Sequence, residues 1–218
     1  MYKHIIKRVI LWSFVMLVLG GAVSGMVKLS SRIPSSLALP IGEVLPSDWS
    51  KGKAQSQVTL IEYSDFQCPA CGAYYPLLEQ LYGEFGENML FVYRQFPLKQ
   101  IHANADLAAR ATEASGKQGK FWEMHDMLFE NQGSWSNQKN AIDTFVSYAQ
   151  TLLLNVEQFK KDIDSKEIKE KVDQDYAEGI NSKIQGTPTF FLNGVQIKNP
   201  RNYDEFRNII EQAINAYP

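Results

Sequence analysis

Val58-Thr59-Leu60-Ile61-Glu62-Tyr63-Ser64-Asp65-Phe66-Gln67-Cys68-Pro69-Ala70-Cys71 is the stretch on which the fold turns. Its first half, Val58 to Tyr63, is β-rich and apolar on both faces apart from Glu62. That pattern predicts a central strand. Pro69 suits a first helical position, where a missing N–H costs nothing. Tyr74, Leu77, Leu78, Leu81 and Phe85 then recur at helical spacing, so a helix is predicted from Pro69 to about Phe85. Met89 to Phe96 reads as a second buried strand. Strand, helix and strand make a βαβ unit, with a right-handed crossover expected.

Further along the chain, residues 99–186 read as helical throughout. The stretch Ala103 to Ala114 is alanine-rich. Phe121, Trp122, His125, Leu128 and Phe129 form one stripe; Ile142, Phe145, Val146 and Ala149 form another. Asn155 to Asp162 is a short segment. Ser165 to Asn181 is charged, with Ile168, Val172, Tyr176 and Ile180 expected to be buried. The chain then returns to β structure: Thr189–Leu192, Asn193-Gly194 and Val195–Ile197 predict a hairpin with a type I′ turn. A last helix follows Asn202, with Phe206, Ile209, Ile210, Ala213, Ile214 and Tyr217 on its stripe.

The 218 residues include 44% hydrophobic and 21% charged residues, which excludes a disordered chain. There are two cysteines, Cys68 and Cys71. A disulfide-stapled scaffold needs several pairs, and a zinc ribbon needs four ligands. Net charge is −2, and residues 1–27 hold Lys3, Lys7 and Arg8 but no acid. The remainder is therefore more acidic still, and nucleic acid has no electrostatic case as a partner.

Residues 1–8 are basic and Val9 to Val27 carries no charge, close to the roughly 20 residues that cross a bilayer. This predicts a cytoplasmic basic stub and transmembrane anchor, or a cleaved signal peptide, over residues 1–27. Ala22-Val23-Ser24 offers small residues for cleavage. Either reading places the following chain in an oxidising, extracytoplasmic space. Residues 28–50, with Pro34, Pro40 and Pro46, read as a tether, and residues 51–218 as the domain.

Cys68 lies where strand gives way to helix. Free N–H groups and the positive end of the helix dipole stabilise a thiolate there, and the thiolate is the reactive form. Cys71 is one turn on, so the sulfurs can meet. Cys68 is expected at the exposed tip, with Cys71 pointing inward. A zinc site would need ligands from His4, His102 and His125, whose spacing does not fit. An inert structural pair would be a staple where none is needed. Glu62 has two readings: a buried carboxyl exchanging a proton with Cys71, or an acid satisfied or solvated at a strand edge. Asp65 is read as local hydrogen bonding, His125 as a core residue, and His102 as a candidate neighbour of the cysteines. Pro188, on sequence alone, is an ordinary turn or strand-start proline.

Glu62 to Cys71, Phe121-Trp-Glu-Met-His125 and Gly186-Thr-Pro-Thr-Phe-Phe-Leu-Asn-Gly194 resemble the DsbA-like thiol–disulfide oxidoreductases over roughly Trp49 to Tyr217. The resemblance implies an α/β thioredoxin fold (βαβ…ββα) interrupted by an all-helical insertion at about 99–186, here preceded by the N-terminal transmembrane segment. Cys68 would be the nucleophile, and Cys71 the buried resolving cysteine. Pro188 would be a cis-proline facing the pair. Thr187 before it would present backbone to a substrate peptide. Glu62 would be the family's buried acid. Pro69 and Ala70 would tune the redox potential. The implied function is donation of the Cys68–Cys71 disulfide to exported proteins, without cofactor or metal. The implied partners are cysteine-bearing exported substrates and a membrane-embedded, quinone-linked thiol oxidase. The alternatives are a reductase or isomerase of the same fold, or a redox-inactive peptide-binding or chaperone module.

Overall fold

Val58–Ser64 forms strand β2, central in the sheet and buried on both faces, because helices pack on both sides of the sheet. The computed structural model describes residues 42–216. The expected anchor or signal, and the tether up to residue 41, lie outside the described residues. Five strands are described: β1 (Trp49–Lys51), β2, β3 (Met89–Gln95), β4 (Thr189–Leu192) and β5 (Val195–Gln196). Their order is β1-β3-β2-β4-β5. Strand β2 runs parallel to β3 and antiparallel to β4. The Asn193-Gly194 turn between β4 and β5 has φ of 47° and 80°, the left-handed pair that a type I′ hairpin requires.

The helices are α1 (Pro69–Phe85), α2 (Ala105–Gly116), α3 (Phe121–Glu130), α4 (Gln132–Trp135), α5 (Ile142–Thr151), α6 (Val156–Ile163), α7 (Lys166–Asn181) and α8 (Tyr203–Asn215). Helices α2 to α7 all fall between β3 and β4, as an insertion at 99–186 requires. One face of the sheet packs against α1 and α8 through Leu60, Leu78, Leu81, Phe91, Phe190, Phe206 and Ile210. The other face buries Ile61, Tyr63, Val92, Phe96 and Phe191, with Tyr176 of α7 against them. A third core fills the helical insertion around Trp135, Phe145 and Phe159 and reaches Cys68 and Cys71.

Two expectations need correction. The tether was expected to run to residue 50, but ordered packing starts earlier. Arg94 is buried, and its guanidinium donates to both Asp48 carboxylate oxygens at 3.0 and 2.7 Å and to the Glu43 carbonyl at 2.7 Å. A buried cation needs such partners, so residues 43–48 are fastened to the domain. Trp49 then pairs with Tyr93 in β1 and stacks on Phe121 at 4.5 Å. Ile180, expected to be buried, is 50% exposed. It lies in the last turn of α7, where a strict four-residue repeat has drifted off the buried face that Asp175 and Gly179 occupy.

Candidate active site

Residues 65–72 turn the chain from β2 into α1, and polar contacts fix the turn. The Cys68 N–H donates to the Asp65 carbonyl, and the Gly72 N–H to the Cys68 carbonyl, at 3.0 and 3.1 Å. Asp65 accepts from the N–H groups of Gln67 and Leu98 and meets His102 Nδ1 at 2.6 Å. Asp65 is thus the local hydrogen-bonding residue that its position suggests, and His102 orders the turn through it. Gln132 Nε2 donates to the Phe66 and Cys68 carbonyls at 2.8 and 2.9 Å. Gln67 donates to the Ser136 carbonyl and accepts from the Asn104 N–H. The helical insertion therefore grips the cysteine turn directly.

Cys68 is the N-cap of α1, with Pro69 first in the helix. Both cysteines are free thiols. Pro69 and Ala70 are exposed, while Cys71 is fully buried. Cys68 is only 7% exposed, less than its expected place at the tip implies. The Thr187-Pro188 loop lies against it, with the Thr187 carbonyl oxygen 3.4 Å from Cys68 Sγ. The Thr187-Pro188 peptide is cis.

The two thiols are driven apart electrostatically. A hydrogen bond from the Cys71 thiol is the largest cause acting on Cys68. Burial opposes it, and the Thr187 side chain and the N–H groups of Cys71 and Ala70 reinforce it. The Cys68 pKa falls to about 5. Cys71 moves the other way, raised by burial first, then by its bond to Cys68 and by the charge of Glu62. At neutral pH Cys68 is a thiolate and Cys71 a thiol.

Glu62 lies in β2, opposite Tyr93 of β3. It is buried, and burial pushes its pKa up to about 8, against weaker pulls from Ser64 and Lys51. The reading as a strand-edge acid in solvent is therefore excluded. Glu62 Oε1, Ser64 Oγ, Tyr93 Oη and Gln95 Oε1 are all buried without a hydrogen-bond partner. Glu62 pairs with Tyr93, and Ser64 with Gln95, in the β2–β3 register, so alternation puts all four on one face of the sheet. His125 is a core residue: its ring packs on Phe66, Tyr93 and Phe129, and burial lowers its pKa. Among the described residues no group of three or more His, Cys, Asp or Glu side chains could hold a metal ion.

Sequence reasoning missed Gln132 and Asn104, which hold the cysteine turn from outside, and Gln67, which reaches out of it to Ser136 and Asn104. These are polar residues in helix ends and loops, and no periodicity singles them out. It also missed Gly72. A Cβ there would sit 2.6 Å from Gln132 Oε1.

The family model for thioredoxin matches residues 45–212, most of the chain. The chain belongs to the thioredoxin family. Among solved structures, this thioredoxin-family chain is similar to oxidised BdbD from Bacillus subtilis, at 26% identity and a TM-score of 0.68, covering 76% of this chain and 92% of that one. Alpha-DsbA1 from Wolbachia pipientis shares the fold, at 24% identity and a TM-score of 0.70, covering 80% and 94%. Both similarities are to thioredoxin-fold proteins of the DsbA type. Curated relatives include the Na(+)/H(+) antiporter NhaA 1 of Salinispora arenicola, 37% identical over 147 residues, covering 67% of this chain and 22% of the relative. NhaA of Herminiimonas arsenicoxydans is 33% identical over 169 residues, covering 78% and 26%. The chain thus spans about a quarter of the length of the curated relatives it matches. Among the described residues, no helix is long and apolar enough to cross a membrane.

Proposed function

We propose that this thioredoxin-family protein is an extracytoplasmic thiol–disulfide oxidoreductase that donates its Cys68–Cys71 disulfide to exported proteins. The observation that carries the reading is Cys68 at the N-terminus of α1, its thiolate favoured down to a pKa of about 5. Stabilising the thiolate stabilises the reduced pair. A pair whose reduced form is stabilised gives its disulfide away.

The reaction runs in two displacements. A substrate thiolate bonds to Cys68 Sγ, the Cys68–Cys71 bond breaks, and Cys71 leaves with the electron pair. A second substrate thiolate then attacks the substrate sulfur and expels Cys68 as the stabilised thiolate. The substrate is oxidised and the protein reduced. Cys71 needs a proton on leaving. Glu62 carries one at neutral pH, and Cys71 holds protons more tightly than Glu62 does, so Glu62 supplies it. Thr187 and Pro188 lie over Cys68 and serve as the surface on which the substrate peptide rests. Pro69 and Ala70, exposed between the sulfurs, set the potential.

Re-oxidation falls to a membrane-embedded, quinone-linked thiol oxidase. The basic residues 1–8 and the uncharged run to Val27 support a membrane anchor or export signal ahead of the domain. The antiport named for the NhaA relatives is not assigned to this chain.

Equilibrating the purified protein with a glutathione series tests the direction. The expected potential lies well above the roughly −270 mV of thioredoxin, toward about −120 mV. A value near −270 mV would mark a reductase. Cys68→Ser is expected to abolish exchange; undiminished cellular function in that variant would leave only the peptide-binding module.

A further inference from the structure

The loop that carries Thr187 and Pro188 also walls a surface groove of about 580 Å³. Lys183, just beyond α7, and Gln196, Lys198 and Asn199 also line it. Asn199 Nδ2 donates to the Pro188 carbonyl at 2.8 Å, tying the segment after β5 to the loop. The groove is therefore built onto the same loop whose Thr187 carbonyl lies 3.4 Å from Cys68 Sγ.

Its charge is one-sided. From Gly179 to Tyr203 the sequence holds Lys183, Lys198 and Arg201 and no acid, in a chain of net charge −2. Arg201 is already paired with Glu205. Lys183 and Lys198 are exposed and form no ion pair among the described residues; Glu205 acts on Lys198 only at longer range. No acidic side chain lines the groove. Two exposed cations thus line the groove that is walled by the Thr187-Pro188 loop.

We infer that this groove takes an extended peptide segment with carboxylate side chains flanking the substrate cysteine, and that Lys183 and Lys198 select such substrates. The inference rests on the exchange reaction proposed above. It adds the class of substrate. Opposite charges across an exposed groove act mainly on the rate of encounter. They act within a Debye length, about 8 Å at physiological salt.

The test uses the oxidised full chain and two dithiol peptides that differ only in Asp and Glu against Asn and Gln around one cysteine. The rate of reduction of the Cys68–Cys71 disulfide is followed. The acidic peptide is expected to react about 5- to 10-fold faster at low salt, with the ratio collapsing at 1 M salt, where the Debye length is about 3 Å. In Lys183→Gln/Lys198→Gln the ratio is expected to fall to about one, and in Lys183→Glu/Lys198→Glu it should invert. An equal rate for both peptides with the wild-type protein, or a ratio that survives both double variants, would overturn the inference. Dithiothreitol separates the two claims: if it too fails to reduce the wild-type disulfide, the exchange reading itself falls.

Discussion

Glu62 stands in a central strand with Oε1 lacking any hydrogen-bond partner. Burial raises its pKa to about 8, whereas in the unfolded chain it titrates near 4.5. Between those values the folded protein holds one proton more than the unfolded chain. Stability therefore falls as pH rises through that window, by about 1.4 kcal/mol per unit. Below about 4.5 the group is protonated in both states and adds no pH dependence; above about 8 the loss is complete. Glu62→Gln removes the titration. Denaturant midpoints of the oxidised proteins, in which neither thiol titrates, are expected to coincide near pH 4. The variant should become progressively more stable than wild type up to pH 8. Parallel midpoints across that range would mean that Glu62 is not buried as an acid. The same variant loses the proton that Cys71 needs, so it should exchange disulfides more slowly while being more stable.

At the scale of elements, the entrance to α1 is held by a residue from another helix. Gln132 of α4 donates to the Phe66 and Cys68 carbonyls, and it reaches them because Gly72 has no side chain in its path. Gly72→Ala puts a Cβ where the Gln132 amide lies and displaces both bonds. Gln132→Ala removes them outright. Each is expected to cost about 1–2 kcal/mol in denaturant unfolding. The double variant should cost scarcely more than either single one, because both remove the same contact. Fully additive losses would show that the two residues act separately. This clamp also marks how far the sequence can be read. The helix Pro69–Phe85 follows from its period and one proline, and the strands Val58–Ser64 and Met89–Gln95 from largely unbroken apolar runs, because both faces of the sheet are covered. Cys68, Cys71 and Glu62 are legible beside them: Glu62 interrupts an apolar run, and the cysteines stand where that run has given way to the helix. Strand β1 and helix α4 are only three and four residues long, too short to show a period. What makes β1 a strand is tertiary: Trp49 stacks on Phe121 and fills the space left by Gly116. Ile180 fails for the converse reason. It extends a four-residue repeat, which drifts round a 3.6-residue helix until it leaves the buried face that Gly179 still holds against Phe96 and Tyr63.

For the whole molecule, these local energies decide which redox form is the more stable. The Cys68–Cys71 disulfide closes a loop of four residues, which constrains the unfolded chain by about 2 kcal/mol in the loop-entropy account. Against it stands the Cys68 thiolate, present only in the reduced protein. Its pKa of about 5 in the folded state, against 9.0 in the unfolded chain, is a depressed acid pKa. The stabilisation it brings is fully present above about pH 9 and is lost as pH falls through 5. Midway, near pH 7, it is on the order of 3 kcal/mol, rising to about 4 at pH 8. Glu62 titrates in both redox forms, so it largely cancels from the comparison. The thiolate should therefore outweigh the disulfide in neutral and mildly alkaline solution, and the order should reverse toward pH 5. Denaturant unfolding of the two forms is expected to show the reduced protein more stable at pH 8 and the oxidised protein more stable at pH 5. A gap of the same sign and size at both pH values would place the Cys68 thiolate outside the energetics of the fold. The free energy that makes folded Cys68 a good leaving group would then have to come from somewhere other than the α1 N-terminus and its neighbours Cys71 and Thr187.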